Sequence, residues 1–263
     1  MLKFQTDVMG RLSKFELGNL PNSICIVGER GSGKSSLIEW IVSQYPVANY
    51  VKVDKVDSDF TNIVLATSCP TFYHIMIREQ TEKKQNILLK ILEEPPRMVY
   101  LILEADSKFQ LIQTVLNRVQ IFEMGQYSQS ALKEFLTDQT FDISACRTPG
   151  DVLSLTTGDN NTLPDFTRSI FSNIHKASYG SILNIPSRFK DFNADGKYSF
   201  DLFTRLLLKY CSTLIGVGKV NAFNAYELTQ TFVKDCSVTA FDKRRLLEHY
   251  LFMLKGVMID ARS

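Results

Sequence analysis

The segment Gly28-Glu29-Arg30-Gly31-Ser32-Gly33-Lys34-Ser35 constrains this chain more than any other stretch, because it fills every fixed position of the pattern G-x-x-x-x-G-K-[ST]. It follows a compact apolar run, Ile24-Cys25-Ile26-Val27, that reads as a strand buried on both faces. After it, residues 35–42 repeat apolar side chains at helical spacing until Tyr45-Pro46 closes the run. Strand, glycine-rich turn and helix together are the context that gives the pattern a physical meaning. Glycines let successive backbone N–H groups converge on a phosphate, and the helix presents its positive N-terminal end. Lys34 adds a point charge, and the Ser35 hydroxyl is placed for Mg2+. Gly28, Glu29, Arg30, Gly31, Ser32, Gly33, Lys34, Ser35 and Ser36 are therefore the candidate residues for ATP or ADP. The competing reading is a glycine-rich turn that happens to contain Lys-Ser.

The rest of the first half supports the strand-and-helix alternation. Asn49–Val53 and Phe72–Ile77 have strand length, 61–68 is ambiguous, and residues 81–94 form the clearest helix, with Ile87, Leu88, Ile91 and Leu92 on one face before Pro95-Pro96 ends it. Met98–Leu103 reads as a strand, 108–117 as a helix and Val119–Phe122 as a further strand. The order β-α-β-β-α-β-α-β predicts an α/β domain with a largely parallel sheet flanked by helices. Beyond Met124 strand patterns stop. Ser128 is a candidate N-cap for a helix to Leu136, Thr148-Pro149-Gly150 opens another, and 177–197, with Gly180, Pro186, Asn193 and Gly196, reads as a linker. Leu202/Phe203/Leu206/Leu207/Tyr210 and Leu246/Leu247/Tyr250/Leu251/Leu254 then repeat at helical spacing, so the second half is expected to be all-helical.

Binding a phosphate is not hydrolysing it. A working site needs a metal-holding acid at the end of a neighbouring strand, usually followed by a Glu that orients water. The natural place is after His74-Ile75-Met76-Ile77, where the chain continues Arg78-Glu79. A cation thus stands where the acid is expected, leaving Glu79 as a candidate water-orienting residue or a solvated surface acid. Asp54, Asp57 and Asp59 follow the other early strand and read as an exposed acidic loop that could supply a carboxylate.

Composition narrows the class. Thirty Lys+Arg against 28 Asp+Glu give a formal charge of +2, too even to signal nucleic-acid binding by the chain alone. The five cysteines are scattered and never form C-x-x-C, so neither a disulfide framework nor a zinc site is expected. No apolar run suggests a leader or a spanning helix, so the expected location is cytoplasmic, with no membrane partner.

Three segments then resemble the sliding-clamp loader subunits of the AAA+ class. Residues 20–35, beginning Leu20-Pro21-Asn22 and running into the glycine loop, are similar to their "L-P-h-a-y-L-f-x-G-p-r-G-t-G-K-T". Residues 81–96 are similar to "t-x-x-a-Q-N-a-L-L-K-x-L-E-E-P-P", and 101–120, LILEADSKFQLIQTVLNRVQ, to the stretch that ends in the family's Ser-Arg-Cys motif. The resemblance is nearest to the delta-prime type of DNA polymerase III. It implies an AAA+ domain at 1–125, a small helical lid at 126–190 and a helical collar at 191–263. In Asn117-Arg118-Val119 the family's arginine is kept and its neighbours are not, so Arg118 is implied to act as a finger in a neighbouring subunit's ATP site. The position of the nucleotide sensor falls at Ala105 or Asp106, and that of the lid's cation at Asp151.

The resemblance implies a hetero-oligomer of clamp-loader subunits, a sliding clamp and primer–template DNA as partners, with Mg2+ only if hydrolysis occurs and no zinc. Lys83, Lys84, Lys90 and Arg97 are candidate backbone contacts to DNA or a solvated helix face. The expectation is a subunit that binds nucleotide but turns it over poorly. The alternative is an active ATPase motor in which Asp54, Asp57, Asp59 or Glu79 restores the metal site. A phosphate-loop kinase or transferase is disfavoured, because the helical second half and the arginine segment have no role there.

Overall fold

The computed structural model describes residues 4–16, 19–136, 138, 141–157, 162–236 and 242–259. These residues divide into two compact units, one holding 1–132 with 147–150 and the other 133–146 with 151–263.

In the first unit the chain runs α1 (Thr6–Leu12), β1 (Ser23–Val27), α2 (Lys34–Ser43), β2 (Asn49–Val53), α3 (Ser58–Leu65), β3 (Thr71–Met76), α4 (Glu82–Glu93), β4 (Val99–Ala105), α5 (Gln113–Leu116), β5 (Gln120–Glu123) and α6 (Gln129–Lys133). All four strand pairings are parallel, in the order β2-β3-β4-β1-β5. The parallel α/β expectation is met, and β1 lies between β4 and β5. Alternate strand residues feed two cores, as the period of two requires. Cys25, Val27, Tyr73, Ile75, Leu101 and Leu103 pack beneath Phe60 and Val64 of α3, Leu88, Ile91 and Leu92 of α4 and Val115 of α5. Ile24, Ile26, Phe72, Ile102 and Phe122 meet Val8 and Leu12 of α1 and Leu37, Ile38 and Ile41 of α2 on the other face. Each fully buried aliphatic chain contributes about 1.5–3 kcal/mol, so these two layers fix the sheet on which the loop sits.

Three expectations are corrected. Of the ambiguous stretch 61–68, residues 61–65 belong to a helix, so a helix separates β2 from β3 and the order is a regular β-α alternation. Its start was hidden in Asp57-Ser58-Asp59, read as an acidic loop: Asp57 is the N-cap, its Oδ1 accepting from the Phe60 N–H at 3.0 Å. The helix expected over 108–117 is a 3-10 turn at Lys108–Gln110 and the single turn α5. The segment 177–197 is not a linker but carries two short helices, described below.

The second unit contributes most of α7 (Pro149–Thr156), then α8 (Leu163–Asn173), α9 (Tyr179–Leu183), α10 (Ile185–Phe192), α11 (Phe200–Gly216), α12 (Ala222–Cys236) and α13 (Lys243–Ile259). No strand occurs among its described residues. Phe189 of α10 stacks on Phe203 of α11 at 4.5 Å, and Phe192 stacks on Phe166 of α8 at 5.2 Å, which is why a Gly- and Pro-bearing stretch holds helices. Phe232 and Tyr250 stack at 4.4 Å between α12 and α13, with the Tyr250 hydroxyl bonded to Thr229 at 2.9 Å. Burial pushes the Cys25 and Cys146 thiols up to about 12 and those of Cys211 and Cys236 to about 11, so these cysteines are packing groups. Among the described residues no helix is long and apolar enough to cross a membrane.

Candidate functional site

The glycine loop leaves β1 at the end of the sheet where the parallel strands finish. Gly28 N–H donates to Ala105 O at 3.1 Å, continuing the β1–β4 ladder for one more residue. Gly33 then takes φ +96° as the N-cap of α2, and Gly31 takes φ +81°, conformations that side-chain-bearing residues rarely adopt. Residues 147–150 lie against the loop. Gly150 N–H donates to Gly31 O at 3.0 Å and Thr148 Oγ1 donates to Arg30 O at 3.1 Å. A Cβ on Gly150 would stand 2.5 Å from Gly31 Cα, so this approach requires glycine. Tyr127, whose hydroxyl donates to Ser32 O at 2.7 Å, ties the loop to the chain after β5.

Lys34 does not extend into open space. Its ammonium is only 4% exposed and donates to Gly28 O at 2.7 Å, Glu29 O at 3.2 Å and Asp106 Oδ1 at 2.8 Å. An ammonium has three donors, and here three acceptors of the same chain face them. A phosphate can recruit Lys34 only by displacing one of these partners. Asp106 is one of the two positions at which the sensor was expected, and its carboxylate pairs with the lysine that would meet the outer phosphates.

Asp106 is itself held. Its N–H donates to Gln110 Oε1 at 2.9 Å. Gln110 is gripped in turn by buried Gln85 of α4, whose Nε2 donates to Gln110 O at 2.8 Å while its Oε1 accepts from the Ile112 N–H at 3.0 Å. The Gln-Asn pair that resembled a family motif thus carries a structural latch for the loop bearing Asp106.

Sequence reasoning missed Glu104. This acid lies on β4, 7% exposed, and its Oε2 is 3.4 Å from Ser35 Oγ and 3.0 Å from His74 Nε2. Burial pushes its carboxyl up, but the His74 hydrogen bond and the charges of Lys34 and Arg78 outweigh that and hold it below the usual carboxylate range. It is an anion at neutral pH. His74 Nε2–H therefore donates to it, and the Tyr50 hydroxyl, whose proton burial holds, shares a hydrogen bond with His74 Nδ1 at 2.7 Å. A lone acid inside Val99-Tyr100-Leu101-Ile102-Leu103-Glu104-Ala105 was the available signal, taken instead as the end of the strand.

The other candidate acids stand elsewhere. Asp57 caps α3 and pairs with Lys55 at 2.9 Å. β2 is three strand spacings from β1, about 14 Å at roughly 4.8 Å each, so Asp54, Asp57 and Asp59 are not beside the loop. Glu79 lies exposed in the 3-10 turn after β3, its carboxylate 3.8 Å from Arg78. Asp151, in the second unit, is buried and ion-paired with Arg205 at 2.9 Å.

Arg118 stands two residues before β5. Its guanidinium donates to Glu93 Oε1 at 2.7 Å and to Thr114 O at 2.8 Å, joining the Glu-Glu-Pro-Pro end of α4 to the arginine segment. Gln120 registers with Ile24, at the start of β1, whereas the loop begins at Gly28. Four residues at about 3.3 Å put roughly 13 Å of sheet between those levels. Lys83, Lys90 and Arg97 are exposed and Lys84 is half-buried.

Ser32 Oγ is buried without a hydrogen-bond partner among the described residues, an orphan hydroxyl in the loop itself. Ser35 Oγ and Glu104 Oε2, 3.4 Å apart, are hard oxygen donors of the kind a divalent cation would take. The residues fit: the loop and Ser32 would hold phosphate, and Ser35 with Glu104 the metal, which would neutralise phosphate charge.

Residues 46–128 match the family described as "DNA polymerase III, delta subunit", about a third of the chain. No curated protein matches the chain in sequence. Among solved structures, similar folds include a DNA polymerase III gamma subunit-related protein of Thermotoga maritima, at 12% identity and TM-score 0.47, covering 97% of this chain and 99% of that one. The Thermotoga maritima RuvB Holliday junction branch migration motor gives 13% identity and TM-score 0.40, covering 96% and 71%. Both likenesses are too loose to carry an argument. The family match does carry one: it spans β3, α4, β4 and Arg118, where two of the three motif resemblances were found, though not the glycine loop, and over that segment the chain is clamp-loader-like, similar to DNA polymerase III delta subunits.

Proposed function

We propose that the chain is a subunit of a DNA sliding-clamp loader that binds ATP or ADP at Gly28–Ser36 weakly or without efficient hydrolysis, and supplies Arg118 to the nucleotide site of a neighbouring subunit. The observation that carries this reading is the separation of the arginine from its own loop. Arg118 lies at the edge where strands start and the loop at the edge where they finish, which supports a role for the guanidinium at a neighbour's phosphates and not at its own. An arginine placed in trans stabilises charge on the transferring phosphoryl group whether or not its own subunit turns over. Weak binding is supported by the saturation of Lys34 and by Asp106 beside it. The exposed Lys83, Lys90 and Arg97 support contact with primer–template DNA inside an assembly, where several subunits share the phosphates. The lid at 126–190, the collar at 191–263, the sliding clamp as partner and a replisome location in the cytoplasm belong to the same proposal.

Glu104 beside Ser35 favours a second reading, an active motor whose metal acid has moved to β4. Steady-state ATPase of the isolated chain separates the two. Turnover near about 1 per second, the low end of ordinary enzymes, abolished by Lys34→Ala, would establish the motor; turnover absent while nucleotide still binds supports the arginine-donating subunit.

A further inference from the structure

The geometry points to Glu104 as the carboxylate that, with Ser35, holds the divalent cation of a bound nucleotide, a metal site on β4 in place of the expected one after β3. This inference rests on the nucleotide-binding reading and deepens it. The position after β3 offers Arg78, a cation, and Glu79 is turned to Arg78. β4 is the strand hydrogen-bonded to β1, and Glu104 registers with Ile26, two residues before the loop. A side chain there reaches the first turn of α2, which is where its Oε2 meets the Ser35 hydroxyl at 3.4 Å.

Burying a carboxylate is unfavourable unless something at the site uses its charge. His74 Nε2 lies 3.0 Å from Oε2 and satisfies one of its lone pairs, and the Tyr50 hydroxyl fixes the ring from its far side. That chain orients the carboxylate, which is how protein ligands to metals are held by their surroundings. Lys34 is committed to Asp106 and two carbonyls, so it does not bond Glu104. An oriented anion beside a serine hydroxyl at a helix N-terminus is a pair of hard oxygen ligands, and Mg2+ takes one or two such protein groups with phosphate and water completing its shell. Among the described residues no group of three His, Cys, Asp or Glu forms a cage, so the cation would arrive with the nucleotide.

His74 and Tyr50 are positioning residues in this account. Glu104→Gln keeps the side-chain volume and a hydrogen-bond partner for His74 while removing the charge.

The test uses the full chain, a fluorescent ADP analogue and Mn2+ followed by electron paramagnetic resonance. Wild-type protein should bind the analogue in EDTA, bind it more tightly with Mg2+, and immobilise Mn2+ only when ADP is present. Glu104→Gln should not weaken binding in EDTA, where it removes a buried negative charge beside the phosphates, yet should lower Mn2+ affinity of the ADP complex about 10- to 100-fold, the range for disturbed metal sites. Ser35→Ala, removing the other ligand, should also lower the Mn2+ affinity of the ADP complex and provides the test if the first variant does not fold. If wild-type protein binds the analogue but the variants hold Mn2+ as tightly as it does, the Glu104 site is refuted and nucleotide binding stands. If wild-type protein binds no analogue with or without metal, the nucleotide reading itself fails and this inference with it.

Discussion

Asp106→Asn should strengthen nucleotide binding, and the size of the effect follows from the geometry around Lys34. Asp106 Oδ1 is 2.8 Å from Nζ along one of three tetrahedrally disposed donors. A phosphate oxygen taking another donor at about 2.8 Å would stand about 4.6 Å from that carboxylate. At an effective dielectric constant of about 20, two unit negative charges at that separation repel by about 3.5 kcal/mol. The Asp106 side chain is 27% exposed, so solvent and salt reduce this by about half, to roughly 1.5–2 kcal/mol. At about 1.4 kcal/mol per factor of ten, affinity should rise about 10- to 30-fold. The asparagine substitution keeps an oxygen for Lys34 and leaves the backbone bond to Gln110 intact, so the fold should survive. Anisotropy of a fluorescent ADP analogue in EDTA is the appropriate assay, because without metal the repulsion is unmasked. Unchanged or weaker binding by a folded variant would refute the claim that Asp106 competes with phosphate for Lys34.

Two further outcomes are expected. Gln85→Ala leaves Gln110 O and the Ile112 N–H of the Asp106 loop without their partner, at about 1–3 kcal/mol per buried group, so urea unfolding should show a loss of about 2–6 kcal/mol; a loss under about 0.5 kcal/mol would remove the latch. In the second unit, the hydrogen bond from Lys209 holds the Asp142 carboxyl at about 2, below its ordinary 3.8. A depressed acid stabilises the fold fully above its unfolded pKa and loses that contribution as pH falls through the folded one, so the window is about pH 4 to 2. With Asp142 67% exposed the contribution is below about 1 kcal/mol, and the stability gap between wild type and Lys209→Ala should close across that window in urea titrations; a gap independent of pH would contradict the pairing.

The parts of the fold that were legible are those where one local signal decides. Ile24–Val27 running into Gly28 announces a buried strand and its loop, and residues 81–96 announce a helix and its stop. Asp57 was misread because a capping acid and an exposed acid look alike until the Phe60 N–H is seen to bond it. The short helices at 179–192 were read as a linker because their stability comes from Phe166 and Phe203, distant in sequence, and not from local propensity. Glu104 was passed over for a similar reason. His74 and Ser35 are 30 and 69 residues away, and only the register that sets Met76 beside Glu104, together with the placement of α2, brings the three together. The loop residues were all named from sequence, but the saturation of Lys34 was not, since its partner Asp106 is 72 residues away.

The central claim is that Arg118 works on a neighbour's nucleotide. It is tested most directly by purifying the chain with its native partners, once as wild type and once as Arg118→Ala, and measuring the ATPase rate of each assembly. Arginine fingers are worth about 10³–10⁵ in turnover, so the variant assembly should form normally, bind nucleotide normally and lose about a thousandfold or more in rate at the site Arg118 serves. An intact variant assembly that hydrolyses ATP at the wild-type rate would contradict the account.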